Sequence, residues 1–337
     1  MERLGLKKES GNKGAPLEME VFFEKAIANR VVELRNVSMC YIKGIRRERF
    51  SALQSINLEI NCGETVGFIG NNGAGKSTAI RIILGLQKPT SGFALLNGRS
   101  TIDPLARHRV AYVPESPYLY DYLTPLELLS IGFRMHHSKR FDTDAAMDFH
   151  CMKWLERFRI ADVAKKRIRS FSKGMTQRTA LAHALACEPD FLILDEPLSG
   201  LDPLGRLEVV EILDEYRMSG RTLFFSSHVL NDVERLADRF IFLHKGVVRA
   251  VHATSDLNSG YSPSFEVTVE GGDPGSGFSQ ISSRLWRREV ESMNLVHEIQ
   301  KLISTSDTFK GRLYSVRNLN GLERAYANFV RNAERDT

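Results

Sequence analysis

The residues Gly70-Asn71-Asn72-Gly73-Ala74-Gly75-Lys76-Ser77-Thr78 fit the spacing G-x-x-x-x-G-K-[ST]. Glycine at those positions lets the backbone curl until its N–H groups point inward, an arrangement that holds a chain of phosphates. Lys76 is then placed to reach the outer phosphates, and the Ser77 hydroxyl is a hard oxygen ligand of the kind Mg²⁺ takes. A second group stands at Phe191-Leu192-Ile193-Leu194-Asp195-Glu196, where an apolar run ends in two carboxylates. Asp195 would lie beside the metal, and Glu196 could hold or deprotonate an attacking water. The chemistry implied is phosphoryl transfer.

Two further pieces follow a fixed order. Phe171-Ser172-Lys173-Gly174-Met175-Thr176-Gln177-Arg178 precedes the carboxylate strand and opens a helical run, so Ser172 and the Gly174 backbone would form an anion cradle. Leu198-Ser199-Gly200-Leu201-Asp202 follows Pro197, and Ser226-Ser227-His228 closes a later apolar run.

Taken together these motifs resemble those of the ATP-binding subunit of an ATP-binding cassette (ABC) transporter, in the family's order across about residues 30–254. The variant Phe-Ser-Lys-Gly-Met, with Gln-Arg after it, resembles the branch that serves two-subunit exporters and ABC-2 type permeases. The resemblance implies ATP and Mg²⁺ as cofactors, with Gly70 to Thr78 around the nucleotide and Ser77, Asp195 and Glu115 near the metal. It implies Tyr41 stacking on adenine, Glu196 as catalytic base and His228 touching the γ-phosphate. Ser172 and Gly174 would act on the ATP held by a second copy, with Asp202 at the interface of that homodimer. Glu115, in Val113-Pro114-Glu115, stands where the family usually has glutamine, which adds a negative charge to the site. The partner implied is an ABC-2 type transmembrane permease working in export, with this chain peripheral on the cytoplasmic face of the cell membrane and no nucleic acid bound. The alternative is a soluble ABC ATPase acting on ribosomes or DNA. Such proteins carry paired cassettes or long coiled-coil arms, and neither pattern stands here.

Elements must hold these residues in place. Short β-rich runs at 31–34, 53–60, 65–69, 110–113, 191–194, 222–226 and 240–243 alternate with helical stretches, the pattern of a parallel α/β sheet. Between 124 and 160 the strands vanish. Thr124-Pro125-Leu126-Glu127 is a helix start, and Met147, His150/Cys151, Trp154/Leu155 and Phe158 have the spacing of one buried helical face. The expected fold is a P-loop NTPase of the ABC nucleotide-binding type: a RecA-like mixed sheet, a β-subdomain and an inserted helical subdomain at about 115–180. Domains are expected at 1–28 (a tail with a short helix near 21–28), 29–254 (the cassette) and 255–337 (a small α+β appendage). The appendage should hold strands at 265–269 and 312–316, helices at 290–303 and 319–330, and a loop at 271–277.

Composition narrows the class. The 337 residues are 42% hydrophobic and 26% charged, ordinary for a folded globular chain. The longest stretch without charged side chains is 65–75, too short to span a bilayer, and residues 1–20 lack the apolar centre of a secretory signal. The net charge of +5 is concentrated: residues 30–254 carry a surplus of six positive charges, as suits a polyanionic ligand. Cys40, Cys62, Cys151 and Cys187 are widely spaced and read as reduced, buried residues rather than a zinc site.

Overall fold

The computed structural model describes residues 29–43, 48–137, 143–255, 264–272, 274, 277–291, 294–304, 311–319 and 322. The chain runs through β1 (Arg30–Lys43), β2 (Glu48–Asn61), β3 (Thr65–Ile69), α1 (Lys76–Ile83), β4 (Ser91–Leu96), β5 (Arg99–Ser100) and β6 (Val110–Val113). Three helices follow: α2 (Pro125–His136), α3 (Asp144–Arg157) and α4 (Lys173–Ala186). Then come β7 (Phe191–Asp195), α5 (Pro203–Met218), β8 (Thr222–Ser227), α6 (Leu230–Leu236), β9 (Arg239–His244) and β10 (Val247–Ala253). The last group is β11 (Ser264–Gly271), β12 (Ser279–Gln280), β13 (Leu285–Glu291), α7 (Leu295–Ser304) and β14 (Gly311–Leu319).

The central sheet has the order β10-β9-β3-β8-β7-β6. It is parallel from β9 to β6, with β10 antiparallel on one edge. Parallel strands covered on both faces read as unbroken apolar runs, and successive side chains must feed opposite cores. They do so here. Phe191, Ile193, Phe224 and Ile241 enter one core with Leu34, Ile56, Ile80 and Ile83 from β1, β2 and α1. Leu192, Leu194, Phe225 and Phe240 enter the other with Leu155, Leu185, Leu213 and Val233 from the helices.

The antiparallel sheet β2-β1-β4-β5 covers the first core, and the four-stranded sheet β12-β13-β11-β14 forms the C-terminal part around Val267, Val269 and Val290. The helices α2, α3 and α4 form the unit without strands. Its start is fixed locally: Thr124 Oγ1 accepts the Glu127 N–H, and Glu127 Oε2 accepts the Thr124 N–H at 2.8 Å, a capping box worth about 1 kcal/mol. His137 Nε2 lies 2.8 Å from the Cys187 carbonyl and His150 Nε2 3.0 Å from that of Ala186, so two histidines pin the C-terminal end of α4. Among the described residues no helix is long and apolar enough to cross a membrane.

Several expectations change. The first strand extends to Lys43, nine residues past its apolar opening, because β1 pairs on both sides and its alternation of buried and exposed positions hides it from a hydrophobic scan. β4 opens on Ser-Gly and β10 alternates around Arg249, so neither looked like a strand. Val290 belongs to β13, opposite Phe265, rather than to a helix, and Leu319 ends β14. Cys151 and Cys187 are buried, and burial pushes the Cys187 thiol up to about 12; Cys62 is exposed. The tail at 1–28 and most of the final helix at 319–330 fall outside the described residues, as do 273, 275 and 276 of the 271–277 loop.

Candidate nucleotide site

Neighbouring strands lie about 4.8 Å apart, so residues at their C-terminal ends converge. Here the order β3-β8-β7-β6 sets four such ends in a row. β3 runs into Gly70, β8 into His228, β7 into Glu196, and β6 ends two residues before Glu115. A cleft of about 310 Å³ opens over them, lined by residues 71–78 with Glu115, Asp195 and Glu196.

Backbone geometry builds the loop. Gly75 has φ +109°, and a Cβ there would stand 2.5 Å from the Ala52 carbonyl oxygen. Gly75 is also the N-cap of α1, and no side chain caps that helix, so its first-turn N–H groups remain for a ligand. Lys76 is buried; its Nζ donates to the Gly70 carbonyl at 2.6 Å and lies 3.2 Å from Glu196 Oε1.

Asp195 and Glu196 are held from the neighbouring strand β8. The Ser226 hydroxyl donates to Asp195 Oδ1 at 2.6 Å, and Ser226 Oγ accepts the Glu196 backbone N–H at 2.9 Å. Glu196 sits at φ +50°, a conformation costing about 1–3 kcal/mol that turns its side chain off the strand axis. Its Oε2 lies 2.7 Å from His228 Nδ1, while the buried Oε1 has only the 3.2 Å ion pair with Lys76, which lacks hydrogen-bond geometry. Glu196 therefore bridges Lys76 and His228. Burial pushes the nearby Asp232 carboxyl up, with the Glu196 charge adding to the effect and Arg206 and His228 opposing it. Burial likewise pushes the Tyr112 phenol, beside Asp195, up to about 12.

Other expected residues fall elsewhere. Tyr41 lies within β1 and donates its hydroxyl to Gln87 Oε1 at 2.7 Å, 3.5 Å from Thr78 Oγ1. Ser172, Gly174 and Asp202 do not line the cleft. Ser172 caps α4, its Oγ accepting the Met175 N–H at 3.3 Å, and α4 is tied to the segment after Glu196. The buried Gln177 donates to the Pro197 carbonyl at 2.9 Å, and Arg178 lies 3.6 Å from Asp202 Oδ1. Sequence reasoning missed Ser226 as the residue that holds the Asp195 carboxylate and the Glu196 backbone, though it stood in the quoted Ser226-Ser227-His228. It also missed Gln87, and no spacing signal pointed to that residue.

A glycine loop between strand and helix, facing two strand-end carboxylates on a parallel sheet, defines a P-loop nucleoside triphosphatase. The ABC transporter family model matches residues 53–199. The chain is 33% identical over 292 residues, 86% of this chain and 81% of the relative, to an uncharacterised ABC transporter ATP-binding protein of Synechocystis sp.. It is 34% identical over 196 residues, 58% of this chain and 82% of the other, to the lantibiotic transport ATP-binding protein SrtF of Streptococcus pyogenes. Its fold is similar to the dimeric post-hydrolysis structure of the ATP-binding cassette MJ0796 bound to ADP and Pi. The TM-score is 0.60 at 28% identity, covering 66% of this chain and 98% of that one. The chain belongs to the ABC transporter family as an ATP-binding, ATP-hydrolysing subunit.

Proposed function

We propose that this chain powers export through a separate ABC-2 type permease, by closing head-to-tail with a second cassette around ATP. The observation that carries the reading is the division of the site. Lys76 and Glu196 line one cleft 3.2 Å apart, with His228 2.7 Å behind Glu196, while Ser172, Gly174 and Asp202 neither line it nor hydrogen-bond with these residues. A second copy would bring those three residues to the nucleotide. The name of SrtF, a lantibiotic transport protein, supports export. The cassette itself is peripheral to the membrane, on its cytoplasmic face, and the exposed Tyr118, Tyr120 and Tyr122 offer a surface for the permease.

In this reading residues 70–78 cradle the phosphates, Tyr41 meets the adenine, and Lys76 leaves Glu196 for the outer phosphates. Glu196 then orients and deprotonates the attacking water, and His228 supports the transferred phosphoryl group. Ser77, Asp195 and Glu115 fit Mg²⁺, because all are hard oxygen donors on one cleft. No group of three acidic, histidine or cysteine side chains among the described residues closes a metal cage, as suits an ion that keeps phosphate and water ligands. Bound there, Mg²⁺ supplies charge neutralisation between the phosphates. The cassette spans residues 29–254 and the appendage 255–337. Co-purification settles the partner: the chain should leave detergent-solubilised membranes with a permease, whereas sedimentation with ribosomes would overturn the reading.

A further inference from the structure

At the opposite ends of the same parallel strands lies a cavity of about 620 Å³. Gly63 precedes β3, Asp190 precedes β7, Arg221 precedes β8 and Arg109 precedes β6, and all four line it. Five-residue strands at about 3.3 Å per residue place it roughly 16 Å from the nucleotide cleft. The two openings do not share a lining residue.

The cavity is cationic with an apolar wall. Arg99, His108, Arg109 and Arg221 line it. Arg109 pairs with Asp190 at 2.5 Å and Arg99 with Asp103 at 3.3 Å. Arg221 lies 5.8 Å from the Tyr216 ring centre and pairs with no carboxylate among the described residues. Leu105, 63% exposed, adds apolar surface beside this charge. Such a surface suits a segment that alternates carboxylates with large apolar side chains.

The chain itself carries one next to the rim. β1 starts there: Val31 lines the cavity, and the Asn29 carbonyl accepts the N–H of Cys62, another lining residue, at 2.7 Å. Upstream stands Glu18-Met19-Glu20-Val21-Phe22-Phe23-Glu24, with carboxylates at 18, 20 and 24 between Met, Val and two Phe. The six residue steps from Phe23 to Asn29 span at most about 20 Å, so the segment can reach the cavity at an effective concentration on the order of millimolar. We propose that residues 18–24 of this chain dock in the cavity, their carboxylates toward Arg221 and Arg99 and their apolar side chains against Leu105.

Cys62, exposed on the cavity wall, is a built-in reporter, with the buried Cys151 and Cys187 as internal controls. The test is the rate of N-ethylmaleimide modification of Cys62, read by peptide mass spectrometry, in the full chain and two variants. One is Phe22→Asp with Phe23→Asp; the other is Arg221→Glu. Docking predicts modification about tenfold faster in both variants, given millimolar effective concentration and modest affinity. A synthetic peptide of residues 15–28 should slow it again in the Phe22/Phe23 variant. Equal rates in all three proteins would overturn the proposal. So would protection by inorganic phosphate in place of the peptide, which would mark a site for free anions.

Discussion

Two helix N-termini in this molecule face anion chemistry and are built in opposite ways. α1 starts at Gly75 with no side-chain cap, so its donors stay open. α4 starts at Ser172, whose hydroxyl accepts the Met175 N–H and so satisfies one donor of its own helix. The first end leaves its donors available to a phosphate, with Lys76 beside it. The second has one donor taken by its own cap and lies outside the cleft, so it could donate to a nucleotide only when something presents one. The difference matches a motor in which each cassette grips its own ATP and waits for a partner's.

Perturbing the first end should have the largest effect. Lys76→Ala removes the cation that lies against Gly70 and Glu196, and equilibrium titration should show ATP binding lost; normal affinity would dissolve the contrast between the two ends. Glu196→Gln should keep ATP binding yet lower turnover by about 10²–10⁴, and in light scattering it should accumulate as an ATP-bound dimer. Wild-type hydrolysis by that variant would take Glu196 out of the mechanism.

Smaller changes sharpen the comparison. Gly75→Ala forces a side chain into φ +109° against the Ala52 carbonyl, so thermal unfolding should show a loss of about 1–3 kcal/mol together with weaker ATP binding. Ser172→Ala should cost only about 1 kcal/mol of stability through the lost cap. If Ser172 serves the other copy's nucleotide, that variant should hold ATP as the wild type does while hydrolysing it more slowly. A parallel loss of ATP affinity in the isolated monomer would place Ser172 in its own chain's site instead.

How legible the site was depends on how local each part is. The capping box at Thr124, the helix after Lys76 and the buried face of α3 could be read directly, since each is settled within a few residues. β4 and β10 escaped because their neighbours decide them: β4 lies against β1, and β10 hangs on β9 as an edge with a solvated face. Tyr118, Tyr120 and Tyr122 could have been core or surface from their types alone, and the fold leaves them exposed.

The sequence by itself determined the phosphate loop, because nine consecutive residues carry their own backbone geometry, and it named the carboxylates and the histidine that answer to it. It could not place them. Residues 70, 195 and 228 meet only because β8, late in the chain, inserts between β3 and β7, and that order follows from burying both faces of a parallel sheet. Tertiary structure also made Ser226 the clamp on the Asp195 carboxylate and the Glu196 backbone, and left the cradle at Ser172 outside the cleft. Those outcomes turn on packing between segments far apart in the chain, where no local preference acts.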